Sequence, residues 1–318
     1  MVEINSRKVA IVGCGFVGSA SAFALMESGL FSEMVLIDAD KNKAEGEALD
    51  ISHGLPFAKP MQIYAGDYED ISDAAIIVVT AGAGQKPGET RLDLVRKNVA
   101  IFQSVIPQIA KYNQEGILLI VANPVDILTY TAAKLSGFPR NRVFGSGTVL
   151  DSARLKYLLG EHLGVDPRSV HAFIIGEHGD SEIAAWSSAN VSGIPLNSFC
   201  EMRGHFNHSK AMREIAENVK NSAYEIIAKK KATYYGIAMS VKRICEAIVR
   251  DEKSILPVSS LQRDDYGVGE IALSMPAIVG KHGVEAAVPI ALSKKEAEDL
   301  QKSAETLKQV IDEVLCEK

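Results

Sequence analysis

A single histidine, His178, lies between glycines in the run Gly176-Glu177-His178-Gly179-Asp180. An imidazole is the side chain best able to give or take a proton near neutral pH. The run follows the apolar residues Val170–Ile175, so we predict that it lies where a strand passes into a loop that a substrate can approach. His178 is therefore a candidate acid–base catalyst, although a hydrogen-bonded structural histidine fits the residue equally well when it is taken alone.

A carboxylate and a guanidinium are spaced to share one face of a helix. Asp151 and Arg154 are three residues apart in the predicted helix Leu150–Leu163, and residues at that spacing are neighbours on a helix surface. A guanidinium binds a carboxylate through two parallel hydrogen bonds. We predict that Asp151 orients His178 and that Arg154 anchors a substrate carboxylate. The alternative is an ordinary salt bridge within the helix.

The N-terminal segment carries a dinucleotide-binding pattern. Gly13-Cys14-Gly15-Phe16-Val17-Gly18 follows an apolar strand and opens a helix, which is the context that this fingerprint requires. Gly13 permits a tight turn, Gly15 lets the backbone approach a pyrophosphate, and Gly18 lets helix and strand pack closely. Asp38 follows twenty residues later, where a carboxylate accepts hydrogen bonds from ribose hydroxyls and repels a 2′-phosphate. The pattern predicts NAD rather than NADP as cofactor.

A glycine-rich loop, Ala81–Thr90, follows a predicted strand and ends at Arg91, which begins a helix. We predict that this loop closes over substrate, excludes water and brings Arg91 against a carbonyl oxygen. The alternative is a plain surface loop.

The first half of the chain alternates short apolar strands with amphipathic helices, as a parallel sheet with crossover helices requires. The predicted strands are Lys8–Val12, Met34–Ile37, Gln62–Ala65, Ala75–Thr80, Gly116–Val121 and Arg142–Gly145. The predicted helices are Gly18–Ser28, Asn42–His53, Arg91–Tyr112 and Val125–Ser136. This rhythm predicts an α/β fold: a doubly wound parallel Rossmann sheet that binds its ligand at the carboxyl ends of the strands.

The second half changes character, which predicts an α+β substrate and catalytic domain. After the helix that carries Asp151, the predicted strands are Val170–Ile175, Ala184–Val191, Ile255–Leu261, Glu270–Ile278 and Val284–Ile290, and the predicted long helices are Ser209–Lys231 and Ile237–Arg250. A final helix opens with the capping box Ser293-x-x-Glu296. We expect an NAD-binding domain at residues 1–145 and a catalytic domain at 146–318.

Composition narrows the partners. The 34 Lys and Arg against 40 Asp and Glu leave a net charge of -6 with no basic stripe, which disfavours nucleic acid. The four cysteines form no CxxC pair, so neither disulfides nor zinc are indicated, and we expect a cytoplasmic location. No uncharged stretch approaches the length of a membrane helix. His205 and His208 have no third ligand nearby in the sequence, and we predict no metal site there.

Taken together and in order, these motifs resemble the lactate/malate dehydrogenase superfamily, and within it the bacterial lactate dehydrogenases, over essentially the full chain. The resemblance implies that His178 donates and accepts the proton, with Asp151 as its partner, Arg154 as carboxylate anchor and Arg91 as the residue that polarises the carbonyl. It also implies that Asn123 and Thr233 line the substrate pocket and that Asn123-Pro124 is a cis peptide. Matching cofactor positions are Gly13, Gly15, Val17, Gly18, Asp38, Lys43, Tyr68, Gly82, Ala83, Ser104, Asn123 and Ser146.

Gln85 separates two readings of the resemblance. Malate dehydrogenases usually carry an arginine there, which neutralises the second carboxylate of oxaloacetate. A neutral glutamine would leave that second charge unpaired on desolvation, so we predict that pyruvate is preferred. Malate or another L-2-hydroxy acid remains the alternative. A noncatalytic NAD-binding protein is less favoured, because binding alone needs none of the four catalytic candidates.

Regulation and assembly are expected from the resemblance alone. Bacterial members often bind fructose 1,6-bisphosphate between subunits through a basic residue and a histidine, which match Lys156 and His171 here. Lysine keeps the charge of the usual arginine but loses its bidentate geometry. The resemblance also implies a homo-oligomer, namely a tetramer.

Overall fold

Six strands of the first half pair into a parallel sheet. The computed structural model describes residues 3–84, 88–262 and 267–315. The parallel strands are β1 Asn5–Val12, β2 Glu33–Ile37, β3 Gln62–Ala65, β4 Ala74–Val79, β5 Ile117–Ile120 and β6 Val143–Gly145. Their spatial order is β3-β2-β1-β4-β5-β6, so the winding reverses between β1 and β4. This confirms the doubly wound Rossmann sheet and creates a ligand crevice at the carboxyl ends of those two strands.

The helices cover both faces of the sheet and build the second half. They are α1 Phe16–Ser28, α2 Lys41–Ser52, α3 Arg91–Tyr112, α4 Val125–Ser136, α5 Val149–Leu163, α6 Leu196–Met202, α7 His208–Lys230, α8 Tyr235–Val249 and α9 Lys294–Leu315. The capping box predicted before α9 forms: the Ser293 amide donates to Glu296 at 2.6 Å, and the Glu296 amide donates to Ser293 Oγ at 3.3 Å. No helix in the described part of the chain is long and apolar enough to cross a membrane.

Strands of the second half extend the same sheet. The remaining strands are β7 Val170–His171, β8 Ile174–Ile175, β9 Ile183–Ala184, β10 Asn190–Val191, β11 Ile194–Pro195, β12 Ser254–Leu261, β13 Ala272–Gly280 and β14 Gly283–Ala287. β12, β13 and β14 are antiparallel, and β12 joins β6 through the pair Ser259 and Gly145. The Rossmann sheet thus continues into the α+β half, and residues of both halves meet at its edge.

Two predicted strands are wrong as continuous elements. Residues 170–175 divide into β7, which pairs with β10, and β8, which pairs with β9. Between them the Phe173 carbonyl accepts the Ala185 amide at 2.9 Å instead of continuing a ladder. Residues 184–191 are likewise interrupted by a 3-10 turn at Trp186–Ser188. The apolar pattern reports burial, which continues through both bends, and it does not encode the change of pairing partner.

The sheet is buried on both faces, which explains its nearly continuous apolar strands. Along β1, Val9 and Ile11 pack into one cluster, together with α1, α2 and α8. Ala10 and Val12 point into the other, together with α3, α4 and α9. A third cluster lies between α5, α7 and the short strands β7 to β10. Helices packed on both faces of the sheet therefore hold the carboxyl ends of the parallel strands in place.

Candidate active site

The backbone of His178 is fixed from two sides. Just before it, Gly176 exchanges two hydrogen bonds with Ser274 of β13, at 2.9 and 3.0 Å. The His178 amide itself donates to Oδ2 of Asp126, the second residue of α4, at 2.7 Å. Both β13 and α4 contribute buried side chains to the same hydrophobic cluster. These hydrogen bonds therefore fix the position of the histidine loop relative to the core.

The imidazole of His178 is paired with a buried carboxylate. Its Nδ1 lies 2.5 Å from Oδ2 of Asp151, and Arg154 Nη1 donates to Oδ1 of the same carboxylate at 2.8 Å. Asp151 lies in the first turn of α5, and its side chain is 2 % exposed. Asp151 therefore lies between the two other side chains: the i and i+3 spacing brings Arg154 to it, and the tertiary fold brings His178.

Burial and neighbouring charges have opposite effects on the pKa values of His178 and Asp151. Burial alone would lower the pKa of His178, but the charge of Asp151 and its hydrogen bond outweigh burial, and with Asp126 and Glu182 they raise the pKa to about 9. Burial would raise the pKa of the Asp151 carboxyl, but His178 and Arg154 hold it below its usual value. At neutral pH His178 is therefore a protonated acid beside an ionised carboxylate.

These side chains face one cavity of about 300 Å³. Arg154 and His178 line it together with Arg91 from the start of α3 and Asn123 from the turn before α4. The Asn123-Pro124 peptide is cis, as predicted. The described lining is completed by Leu94, Val95, Pro124, Asp151, Gly179, Asp180, Glu182, Lys220, Ala223, Tyr224 and Ile227. The cavity thus combines a protonated acid, two guanidinium groups and an apolar side, which suits a small anion with a polar oxygen.

Arg91 is held at the mouth of the cavity by acidic side chains. Its Nη2 donates to Glu177, and its Nη1 lies 3.4 Å from Asp180, both on the His178 loop. The Thr90 and Asp93 capping box starts α3 directly at this arginine. Arg91 is half exposed, so it is free to exchange an acidic partner for a ligand oxygen.

The glycine fingerprint leaves room for a dinucleotide. A Cβ on Gly13, whose φ is +104°, would lie 2.5 Å from the Ala81 amide nitrogen, and a Cβ on Gly18 would lie 1.9 Å from the Gly13 carbonyl oxygen. A Cβ on Gly15 would meet no described atom within 4 Å. That open space lies directly before α1, whose first amides are available to an anion. Asp38 reaches this turn, because its Oδ2 accepts the Cys14 amide at 2.6 Å. The site therefore fits NAD.

Family models match both halves of the chain. The NAD binding domain of lactate/malate dehydrogenase matches residues 7–145, and the alpha/beta C-terminal domain of the same enzymes matches residues 148–318. The chain belongs to the lactate/malate dehydrogenase family.

Individual members of the family are similar over nearly their whole length. An L-lactate dehydrogenase of Thermoanaerobacterium saccharolyticum is 56% identical over 96% of this chain and 99% of its own. One of Acetivibrio thermocellus is 54% identical over 96% of each. Among solved structures, a minor L-lactate dehydrogenase of Enterococcus mundtii in a ligand-bound form covers 98% of this chain and 99% of its own, with a TM-score of 0.93 and 43% identity.

The other predicted cofactor positions differ in their contacts and in their exposure. Ala83 donates its amide to Asn98 Oδ1 at 2.7 Å, and Asn98 Nδ2 donates to the carbonyls of Ala83 and Asn123. Ser146 is buried after β6, and its amide donates to the Ile120 carbonyl. Lys43 and Ser104 lie exposed on α2 and α3, Gly82 is exposed after β4, and Val17 and Tyr68 are partly buried.

The structure does not test the predicted roles of the remaining substrate and effector residues. Gln85 lies outside the described residues. Thr233 lies between α7 and α8 and is not among the described residues that line the cavity. Lys156 is partly buried on α5 with its Nζ 5.8 Å from the Phe173 ring, and His171 is exposed on β7.

Side chains of the types that bind metals come together in two places in the described part of the chain. His205 packs against His162 with ring centroids 4.3 Å apart, a neighbour that the sequence did not reveal. Among the described residues, one group brings three ligand atoms within 4.8 Å of one another, namely Asp151, His178 and Glu182. Since Arg154 already neutralises Asp151, this group is better suited to proton chemistry than to holding a cation.

Asp126 is a site residue that sequence reasoning missed. Besides the His178 amide, it accepts the Ser259 hydroxyl at 2.6 Å and lies 3.4 Å from that of Ser274, which ties α4 to β12 and β13. Burial raises its pKa to about 6, despite the hydrogen bonds from Ser259 and His178. In the sequence it resembles an ordinary acidic residue in the first turn of a helix. Nothing in the spacing indicates a partner 52 residues away.

Replacing Asp126 with alanine is expected to lower the free energy of unfolding by about 2–4 kcal/mol, because two buried hydroxyl groups and the partly buried His178 amide lose their acceptor. It should also reduce turnover, because the His178 backbone loses one of its two anchors. Asp126→Asn keeps an acceptor for the His178 amide and should be milder in both respects. Urea denaturation and steady-state kinetics measure the two effects. Unchanged stability and turnover in the alanine variant would show that Asp126 anchors nothing.

Proposed function

We propose that this chain is an NAD-dependent L-lactate dehydrogenase, which reversibly reduces pyruvate to L-lactate. The observation that carries the proposal is the hydrogen-bonded His178–Asp151 pair in the same cavity as two arginines. The high identity to proteins named L-lactate dehydrogenase supports it. A protein that only binds a dinucleotide would need neither the imidazole nor the arginines.

Each cavity residue has a proposed role in this reaction. NADH, when bound, supplies the hydride. Arg154 pairs with the substrate carboxylate, and Arg91 polarises the ketone oxygen once it leaves Glu177. Protonated His178 then donates its proton to that oxygen, and Asp151 stabilises the imidazolium before the transfer. In lactate oxidation, neutral His178 accepts the proton back.

Cofactor binding is proposed to follow the fingerprint. Gly13, Gly15 and Gly18 shape the turn, and the first amides of α1 bind the pyrophosphate. Asp38, at the end of β2, accepts hydrogen bonds from the adenosine ribose and disfavours a 2′-phosphate. The remaining proposed contacts are Val17, Lys43, Tyr68, Gly82, Ala83, Ser104, Asn123 and Ser146.

Substrate choice is proposed to depend on Gln85. A second substrate carboxylate beside this neutral side chain would be desolvated without a partner. The methyl group of pyruvate carries no such cost. Asn123 and Thr233 are proposed to complete the pocket around the substrate.

Side-by-side rates of NADH oxidation with pyruvate and oxaloacetate test this function. We expect kcat/KM for pyruvate to exceed that for oxaloacetate by about 10²-fold or more, because an unpaired charge is rejected strongly. Gln85→Arg should reduce or reverse this preference for pyruvate over oxaloacetate. A preference of the unaltered enzyme for oxaloacetate would establish a malate dehydrogenase instead, and no oxidation with either would leave a noncatalytic NAD-binding protein.

We propose a homotetramer, with fructose 1,6-bisphosphate bound near Lys156 and His171. Burial, followed by the charge of Arg243, lowers the pKa of Lys156, so an anionic partner would stabilise the charged form of this lysine.

The domain boundary is proposed at residue 145. Cys14, Cys200 and Cys245 are buried free thiols, which supports the proposed reducing, cytoplasmic setting.

A further inference from the structure

Glu182 places a second carboxyl group in the substrate cavity, and the proposed mechanism does not use it. The residue follows the His178 loop, and it lines both the 300 Å³ cavity and a neighbouring one of about 710 Å³ between α7 and α9. Its Oε1 is buried and has no hydrogen-bond partner among the described residues. A buried carboxylate oxygen without a partner is costly, so its charge state needs an explanation.

The neighbours of Glu182 decide which carboxyl group carries a proton. Its carboxyl oxygen lies within 4.8 Å of ligand atoms of both Asp151 and His178. Two carboxylates that close resist simultaneous ionisation. Asp151 is the one that holds cations, because its oxygens are committed to His178 and Arg154. The proton therefore belongs on Glu182.

Burial of the Glu182 carboxyl group and the nearby charge of Asp151 outweigh the cations that face it. Burial, and then the charge of Asp151, raise the pKa of Glu182 to about 8, against opposing effects of His178, Lys220 and Arg154. The charged groups of the substrate cavity are Arg91, Asp151, Arg154, His178, Asp180 and Lys220. On the side of the larger cavity they are Arg213, Glu217, Lys295, Glu296, Asp299 and Lys302. Asp180 and Lys220 line this cavity too, so besides Glu182 itself four cations face four carboxylates there, and that side gives Glu182 no net positive charge.

We propose that Glu182 is a neutral carboxylic acid in the form of the site that binds substrate, and that its ionisation weakens the binding of an anionic substrate. The inference rests on the proposed function, because it requires a substrate carboxylate at Arg154. In the neutral form the carboxyl offers a donor to the cavity. In the ionised form it adds a negative charge beside the place where the substrate carboxylate must bind. Productive binding then requires two protons, one on His178 and one on Glu182.

The test is to count, from the pH dependence of the kinetics, how many protons pyruvate binding requires. We would measure kcat and KM for pyruvate reduction from pH 6 to pH 11 in the wild type, in Glu182→Gln and in Glu217→Gln, with each profile normalised to its own plateau. Glu217 is a matched control, because it is exposed and lines the larger cavity but not the substrate cavity. The alkaline limb of log kcat/KM reports protons lost from the free enzyme.

In the wild type and in Glu217→Gln we expect this limb to reach a slope of two, with the loss appearing as a rise in KM. In Glu182→Gln we expect a slope of one, because only His178 still titrates. At pH 10 the glutamine variant should retain at least about tenfold more of its plateau value than the wild type retains. Superimposable one-proton limbs in all three proteins would overturn the proposal, and so would a difference confined to kcat. If the wild type fails to oxidise NADH with pyruvate at any pH, the proposed function fails instead.

Discussion

Replacing His178 with alanine is expected to reduce kcat for pyruvate reduction by about 10³-fold or more, within the range that a positioned acid contributes. The ketone oxygen would then have to take its proton from water, and the Asp151 carboxylate would lose the cation that it orients. The affinity for NADH should change little, because the glycine turn and Asp38 lie at β1 and β2 rather than in the histidine loop. Stopped-flow absorbance and fluorescence titration with NADH measure the two quantities.

His282→Ala is a matched control for this variant. His282 is exposed and its backbone carbonyl accepts a hydrogen bond from Asn141, so removing its ring should leave turnover intact. Near-normal turnover in the His178 variant would refute its assignment as proton donor. A parallel loss of NADH binding would mean that the substitution disturbs the fold rather than the chemistry.

Replacing Arg154 with glutamine is expected to lower kcat/KM for pyruvate by about 10²–10³-fold, mainly through a higher KM. The variant removes the bidentate partner of the substrate carboxylate and leaves Asp151 with His178 as its remaining cation. The kcat/KM of Arg154→Lys should lie between that of the wild type and that of Arg154→Gln, because lysine restores the positive charge without the planar guanidinium. Initial rates over a range of pyruvate concentrations give both constants.

Arg250→Gln is the corresponding control for a lost guanidinium. Arg250 forms an exposed ion pair with Glu246 at the end of α8, and such pairs contribute little. Its kinetics should match the wild type. A pyruvate KM unaffected by Arg154→Gln would exclude Arg154 as the carboxylate anchor.

The sequence predicts those parts of the site that depend on local spacing. The fingerprint from Gly13 to Gly18 requires a strand, a turn and a helix in order, and these form around it. Asp151 and Arg154 become neighbours because they are one helical turn apart. The capping box at Ser293 is also local. In each case the physics that sets the geometry acts within a few residues.

Contacts between distant segments leave no comparable pattern. Asp126 meets His178 only because α4 packs beside β13, and Asn98 joins Ala83 to Asn123 across three segments. Glu182 looks like an ordinary polar residue until the fold places it beside Asp151. The same limit explains the divided strands at residues 170–175, because their pairing partners are chosen by tertiary packing.

A crystal structure with NAD and pyruvate bound together is the most direct test of the proposed site, since both are oxidised and neither can donate a hydride to the other. We expect the pyruvate carboxylate on the Arg154 guanidinium, its ketone oxygen about 3 Å from Nε2 of His178, and the nicotinamide ring against the ketone carbon. Pyruvate bound away from Arg154, or an imidazole turned out of the cavity that holds the nicotinamide, would contradict the assignment of this site to lactate chemistry.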